Sequence, residues 1–479
     1  MTRKIIPIAN TNTSTSANAG GGEEVGLYEA TKKIYPRTVR GMFARWRWAM
    51  VFLTQLVFYG MPWVEWGGRQ MVLFDLAARR FYIFGLVLYP QDLIYLSGLL
   101  VISALSLFLF TAVAGRLWCG YACPQTVYTE IFMWVEQKIE GNRGARMRLD
   151  AEPMSLEKLV KKWFKHIVWI GIAMWTGFTF VGYFTPIREL GLAFLQTQMG
   201  SWEVFWVFFY GFATYGNAGF MREQVCKYMC PYARFQSAMF DRDTLIVTYD
   251  PGRGEPRAPR RKGPDPRTMA LGDCIDCGLC VQVCPTGIDI RKGLQYECIG
   301  CGLCVDACDT VMQKMAYAPG LIRYDTQNGM EAGWSRRQLL RRVLRPRVLV
   351  YTAILALLVA GLLASLVVRT PLKVDVVRDR ASLARIAEGG KLENVYRLQI
   401  MNATEQPRHY LISASGLEGL SVSPEQPVSV DAAQSRWVAV RLQVPYGSAP
   451  PGSHTVHFSI REEGGGAQVS EKAAFLVPR

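Results

Sequence analysis

Four stretches of the chain carry no charged residue for long enough to cross a lipid bilayer: Leu93–Gly115, Ile167–Ile187, Val204–Met221 and Val348–Val368. A hydrocarbon core about 30 Å thick takes about 20 residues of helix. A shorter fifth run, Ala49–Val64, is flanked by Trp46, Trp48, Trp63 and Trp66, which suits a span anchored at both interfaces. Val348–Val368 is dominated by Ala, Leu and Val and has no polar face. A helix apolar all round needs lipid or a very large core around it. The expected fold class is therefore a multi-domain membrane protein with an α-helical bundle of about five spans.

Basic residues set the expected orientation, because Lys and Arg near span ends favour the cytoplasmic side. Arg37, Arg40, Arg45 and Arg47 precede the first run, Lys138, Arg143, Arg146, Arg148, Lys158, Lys161, Lys162 and Lys165 lie between the second and third, and Arg336, Arg337, Arg341, Arg342, Arg345 and Arg347 precede the fifth. Segments 67–91 and 188–202, and everything after Val368, are expected outside. The chain holds 54 Lys and Arg against 39 Asp and Glu, a net charge of +15. This excess reads as topology and contact with anionic membrane lipid; no basic groove motif accompanies it, so no nucleic-acid partner is expected. Residues 1–45 read as a polar, disordered cytoplasmic tail ahead of an uncleaved signal anchor. Phe81–Pro90 is apolar but too short to span, and reads as an interfacial or re-entrant piece.

The second run leads into Cys119-Gly-Tyr-Ala-Cys123-Pro124 and the fourth into Cys226-Lys-Tyr-Met-Cys230-Pro231, an offset of 107 residues. A two-helix unit ending in C-x-Y-x-C-P thus occurs twice within 46–250, the expected four-span membrane domain, and repeats of this kind pack around a shared site. Cysteines four apart share a helix face. The following proline favours a break there and the start of a new helix, and a helix N-terminus lowers a thiol's pKa. Cys119, Cys123, Cys226 and Cys230 are therefore the candidate catalytic residues, four soft donors suited to Cu(I), zinc or an iron–sulfur cluster. Inert buried thiols are the competing reading. After the first C-P, Ile131, Phe132, Val135 and Ile139 mark an apolar face, expected to anchor at the membrane interface.

Residues 251–270 are rich in Pro, Gly and Arg and read as a linker. Then come Cys274-x2-Cys277-x2-Cys280-x3-Cys284-Pro285 and Cys298-x2-Cys301-x2-Cys304-x3-Cys308 within 271–320. This is the bacterial ferredoxin run, in which the fourth cysteine of each motif ligates the other cluster. Cys274, Cys277, Cys280 and Cys308 are expected to hold one 4Fe–4S cluster, and Cys298, Cys301, Cys304 and Cys284 the second. Zinc is the competing occupant, but its four-ligand sites place no demand on a doubled C-x2-C-x2-C-x3-C. Asp309 stands where many ferredoxins have proline. The twelve cysteines are thereby accounted for, and none lies in the C-terminal region, a distribution that favours redox and metal chemistry over crosslinks.

After a basic connector (321–347) and the fifth span (348–368), residues 373–479 alternate apolar and polar in short runs such as Val395–Ile400, Arg436–Val444 and His454–Ile460. Strands at this spacing predict a small β-sandwich. His454 and His457 are three apart and on a strand face opposite sides, so with His409 they make a poor metal site.

W118-C-G-Y-A-C-P124, C226-K-Y-M-C-P231, C274-I-D-C-G-L-C-V-Q-V-C-P-T-G-I-D289 and E297-C-I-G-C-G-L-C-V-D-A-C-D-T-V-M312, with the span order, resemble the CcoG/FixG/RdxA family of cytochrome c oxidase accessory proteins. The resemblance covers nearly the whole chain. It implies an immunoglobulin-like C-terminal domain in the periplasm and a multi-pass protein of the bacterial inner membrane, its N-terminus and ferredoxin segment cytoplasmic. It further implies a cupric reductase, with copper as substrate or transient ligand, serving assembly of the cbb-type oxidase. The implied partners are a copper chaperone or copper transporter and subunits of that oxidase. The membrane part also looks like the quinol-oxidising ferredoxin-type subunits of nitrate-reductase systems, which leaves a quinol dehydrogenase or electron conduit as the alternative, and a non-catalytic assembly scaffold as a third. The spacing alone establishes electron transfer at a membrane.

Overall fold

A computed structural model of the chain describes residues 33–263, 270–379, 384–387 and 389–478. Over 1–32, the tail expected to be disordered lies outside the described residues. The chain divides into two compact units. One comprises the residues up to Met61 with Leu99–Tyr183 and Ile187–Leu358, the other Pro62–Gly98, Phe184–Pro186 and Val359–Arg479.

The helices that matter for function are α1 (Met42–Gly60), α2 (Leu93–Ala114), α3 (Leu117–Tyr121), α4 (Pro124–Glu140), α5 (Arg143–Ala151), α6 (Leu156–Val181), α7 (Ser201–Gly216), α8 (Pro231–Met239), α9 (Leu303–Met315) and α10 (Pro346–Val368). Their starts follow local chemistry. Asn142 caps α5 by accepting from the Ala145 amide at 3.0 Å, and Ser155 caps α6 by accepting from Lys158 at 3.2 Å. Cys123 and Cys230 are the N-cap residues of α4 and α8, with the following proline at the first helical position, where its missing N–H leaves nothing unsatisfied.

Three helical segments, Pro90–Ala114, Leu156–Val181 and Pro346–Val368, are long and apolar enough to cross a membrane, and the most apolar window is 0% buried in the first and 6% in the last. The helices that coincide with the other two runs are shorter, 19 residues in α1 and 16 in α7. The apolar face of α4 does not lie open to an interface as expected. Phe132 and Val135 form a core with Trp169, Ala173 and Ala218. Phe132 and Trp169 stack at 5.1 Å, and Trp169 donates its indole N–H to the Phe132 carbonyl at 3.1 Å. The face was legible, but not its partner: α6 offers an indole of matching shape. Gly177 lets α6 approach α7, since a Cβ there would meet the Val207 carbonyl oxygen at 2.3 Å.

The two copies of the repeat differ in backbone. The first motif lies on α3, whereas the second is approached through π-helical turns at Asn217–Met221 and Val225–Met229, separated by Arg222 at φ 29°. Wide turns of this kind cluster at functional sites. The ferredoxin segment is closed by an antiparallel pair, Ile246–Tyr249 with Ile322–Asp325. Val247, Tyr249, Ile290, Met312, Leu321 and Ile322 form its core. Gly278 and Gly302, at φ 64° and 74°, begin the helix after each C-x2-C, a left-handed turn that favours glycine.

In the other unit, strands 372–378, 391–402, 421–423 and 435–445, with the short 385–386, form one sheet, and 408–415, 428–430, 452–462 and 468–477 the second. The inward residues include Tyr396, Leu398, Ile400, Val440, Val456, Phe458 and Phe475. The period-two pattern therefore gives a β-sandwich. His457 is exposed, and His454, three residues away on the same strand, contacts the Pro450 carbonyl. Phe81–Pro90 is not a re-entrant piece. Strands 72–75, 80–83 and 86–88 make a small antiparallel sheet whose Leu73, Tyr82 and Val87 pack with Met401, Ala403 and Ala433. Three strands of three or four residues carry too little periodicity to be told from an apolar loop.

Candidate redox site

The ferredoxin segment holds two pockets of nearly equal size, both partly open to solvent. Cys284, Cys298, Cys301 and Cys304 line one, and Cys274, Cys277, Cys280 and Cys308 the other; Cys280 reaches both. The chain thus brings the fourth cysteine of each motif to the other motif's cavity. The remaining walls are largely apolar: Val247, Ile288, Ile290 and Ile299 with Thr286 in the first, Ile275, Leu279, Val311, Met312 and Ile322 with Tyr249 and Arg291 in the second.

All-sulfur donor sets on apolar walls fit 4Fe–4S clusters. Among the described residues no three His, Cys, Asp or Glu side chains gather as closely as a single ion requires. Burial pushes the thiols up, Cys280 and Cys301 to about 11 and Cys298 and Cys308 to about 12, so loading must displace protons. Of the eight cysteines, Cys277 alone is exposed, while Cys298, Cys301 and Cys304 are buried or half-buried. Asp309 extends α9 by supplying a backbone N–H that proline lacks, and its carboxylate accepts from the Gly320 amide at 2.7 Å.

The cavity of Cys284, Cys298, Cys301 and Cys304 abuts the first repeat motif. A Cβ on Gly120 would stand 2.8 Å from the Ile299 carbonyl oxygen and 3.0 Å from Cys301 Cα. Tyr121 donates its hydroxyl to the Cys301 carbonyl at 3.0 Å. Arg116 donates to the carbonyls of Tyr296 and Ala233 and stacks on the Tyr296 ring. Its charge acts on Cys298 on one side and on Cys119 and Cys226 on the other.

The four repeat cysteines lie within electrostatic reach of one another, with no three of them gathered as closely as one ion requires. Cys119 is influenced by Cys123 and Cys226, Cys123 by Cys230, and Cys226 by both Cys123 and Cys230. Gln125, just after the first C-P, ties the copies together by donating to the carbonyls of Asn217 and Arg222 at 2.9 and 3.0 Å. The expected depression of the thiol pKa is not found at Cys123. Burial raises it, and the helix-start amides of Gln125 and Thr126 only oppose that rise. Burial likewise pushes Cys119 to about 12 and Cys226 to about 11. Helix-start reasoning counts the amides but not the loss of water.

Arg47 was visible in the sequence only as one of the basic residues before a span. In the fold it is 1% exposed, and its charge acts on Cys301 and Cys284. No motif announces such a residue, because its role depends on a contact between segments about 250 positions apart.

The model of a 4Fe–4S binding domain matches residues 96–142, that of a 4Fe–4S dicluster domain residues 221–327, and that of the IG-like fold at the C-terminus of FixG residues 362–478. Nitrogen fixation protein FixG of Rhizobium meliloti is 39% identical over 422 residues, 82% of this chain and 80% of that protein. Proteins RdxA and RdxB of Cereibacter sphaeroides are each 37% identical, RdxA over 94% of this chain and 98% of its own, RdxB over 91% and 93%.

Proposed function

This chain belongs to the FixG/RdxA family of iron–sulfur redox proteins, and from that premise we propose that it reduces Cu(II) to Cu(I) at Cys119, Cys123, Cys226 and Cys230 for assembly of a cbb-type oxidase. The observation that carries the reading is the backbone contact of Gly120 with Ile299 and Cys301, which sets one wall of a cluster cavity against the thiol quartet. When bound, 4Fe–4S clusters supply one-electron chemistry, and Cu(II) needs one electron to become Cu(I). Thiolates favour the Cu(I) product. Arg116 offsets negative charge at Cys119 and Cys226. Gln125 holds the second copy of the repeat against the first. The exposed Cys277 gives a donor protein access to the cavity it lines.

In this reading five helices cross the bacterial inner membrane, the ferredoxin segment faces the cytoplasm and the sandwich faces the periplasm. The bare apolar surfaces of α2 and α10 and the basic residues near the span ends support it. A copper chaperone or transporter and subunits of the oxidase are the proposed partners. Replacing Cys119, Cys123, Cys226 and Cys230 by Ser in anaerobically prepared membranes is expected to abolish Cu(II) reduction, read with a Cu(I)-specific chelator, while the iron–sulfur absorbance persists. Unchanged reduction overturns the assignment, and quinol-dependent bleaching without any effect of copper supports a quinol dehydrogenase instead.

A further inference from the structure

The first turn of α1 sits on the second ferredoxin motif. A Cβ on Gly302 would meet the Phe43 ring at 2.8 Å. Asp306 accepts from the amides of Phe43 and Ala44 at 3.2 and 2.8 Å, so this carboxylate is engaged by a helix N-terminus. One turn further on, Arg47 enters the protein beside Val283, Pro285 and Leu303, the neighbours of ligands Cys284 and Cys304. One guanidinium nitrogen pairs with Glu130 at 2.9 Å, while Nε and Nη1 are buried with no hydrogen-bond partner. A buried guanidinium with three idle N–H groups is costly unless something negative lies nearby. A 4Fe–4S cluster with four thiolates is a buried anion that becomes more negative on reduction. The charge of Arg47 reaches the cysteines that would hold it, Cys301 and Cys284.

The cations and carboxylates beside the two cavities differ. On the side of Cys284, Cys298, Cys301 and Cys304, Arg47 meets one carboxylate, Glu130, and Arg116 donates to the carbonyls of Tyr296 and Ala233. Arg291 stands in the wall of the cavity of Cys274, Cys277, Cys280 and Cys308. Arg291 is moreover engaged by carboxylates on both sides, Asp289 and Asp276. Arg260 donates to the carbonyls of Gly272 and Cys274, and Arg253 is paired with Asp273. A positive charge in a low-dielectric site favours the more negative redox state.

We propose that Arg47, aided by Arg116, holds the cluster bound by Cys284, Cys298, Cys301 and Cys304 at a higher reduction potential than the cluster bound by Cys274, Cys277, Cys280 and Cys308. This rests on reading the eight cysteines as ligands of two 4Fe–4S clusters, and not on copper. The consequence is directional: the electron comes to rest at the cavity whose Ile299 and Cys301 meet Gly120, and not at the one that includes the exposed Cys277. Arg47 acts as a positioning charge with no part in ligation.

The test is a redox titration of the anaerobically purified full-length protein, followed by electron paramagnetic resonance. Two reduction waves are expected. The upper disappears in Cys304→Ala and the lower in Cys277→Ala, each variant keeping about four of about eight irons. Arg47→Gln moves the upper wave down and leaves the lower where it was, whereas Arg47→Lys, which keeps the charge, stays near the wild-type position. Coincident waves, an upper wave that disappears in Cys277→Ala, or an upper wave indifferent to Arg47→Gln overturns the proposal. If Arg47→Gln fails to retain iron, the wave order in the wild type and the two cysteine variants still decides. Absence of iron and acid-labile sulfide from the wild-type protein would instead sink the cluster reading itself.

Discussion

Gly120 lies between two cysteines of the first repeat motif and has no room for a side chain. An added Cβ would press on the Ile299 carbonyl oxygen and the Cys301 Cα, both backbone and therefore unable to rotate away. Gly120→Ala must open this contact by a few tenths of an ångström, at about 1–3 kcal/mol typical of overpacking. The expected result is slower Cu(II) reduction with iron content retained, read by chelator assay and iron analysis on one preparation. Full activity in Gly120→Ala would show that the close approach does not matter for transfer. The cysteines themselves were legible from the sequence because cluster ligation demands a fixed local spacing. Arg47 and Arg116 were not. An arginine beside an apolar run looks the same whether it meets phosphate headgroups or a buried cavity, and only the fold distinguishes the two.

At the scale of elements, α4, α5 and α6 are joined by a chain of ion pairs as well as by the aromatic core. Glu136 takes Arg222 at 2.8 Å and Arg146 at 3.4 Å, Glu140 takes Lys165 at 2.8 Å and Lys162 at 2.9 Å, and Asp150 takes Lys33 at 2.7 Å and Lys162 at 2.5 Å. Burial pushes the Asp150 carboxyl up, but hydrogen bonds from Lys162, Lys33 and Tyr35 override it and hold the group well below its ordinary value of 3.8. A depressed carboxylate stabilises the fold above its unfolded pKa and loses that contribution as pH falls through the folded one. Thermal melting in detergent should therefore decline as pH drops below about 4, and Asp150→Asn should flatten that decline while lowering stability at neutral pH. An acid limb unchanged in Asp150→Asn would remove Asp150 from the account. The aromatic contact is stronger: Phe132→Ala empties a fully buried site against Trp169 and should lower stability by about 3–5 kcal/mol, seen as a fall in melting temperature. The apolar stripe of α4 was readable from its period, but whether such a stripe meets lipid or protein is decided by what another helix presents. Here that is Trp169, 37 residues away.

For the whole molecule, the distribution of charge and of bare apolar surface makes the strongest remaining claim. Ile94, Leu96, Leu99, Leu100 and Val101 on α2, and Leu349, Val350, Leu357 and Leu363 on α10, are all exposed, which is rare in soluble monomers. Surface of that kind on two long helices is compatible with a lipid-facing wall. In the proposed orientation the flanking arginines lie on the cytoplasmic side. Arg345 and Arg347 at the start of α10 pair with Asp241 at 2.9 and 3.0 Å, and so belong to the same unit as the ferredoxin segment. The β-sandwich follows α10 in the chain. A protease site inserted at Gly465, in an exposed turn of the sandwich, should be cut in intact spheroplasts, and one inserted at Gly263, ahead of the ferredoxin motifs, only in inverted vesicles. Cutting of both sites from the same side would mean that α10 does not cross, and the sandwich would then share the compartment of the clusters. Three of the five expected spans coincide with helices long and apolar enough to cross a bilayer, because a bilayer's thickness sets one length for any helix that crosses it. The small sheet at 72–88 escaped the same reading because nothing so general imposes three short strands.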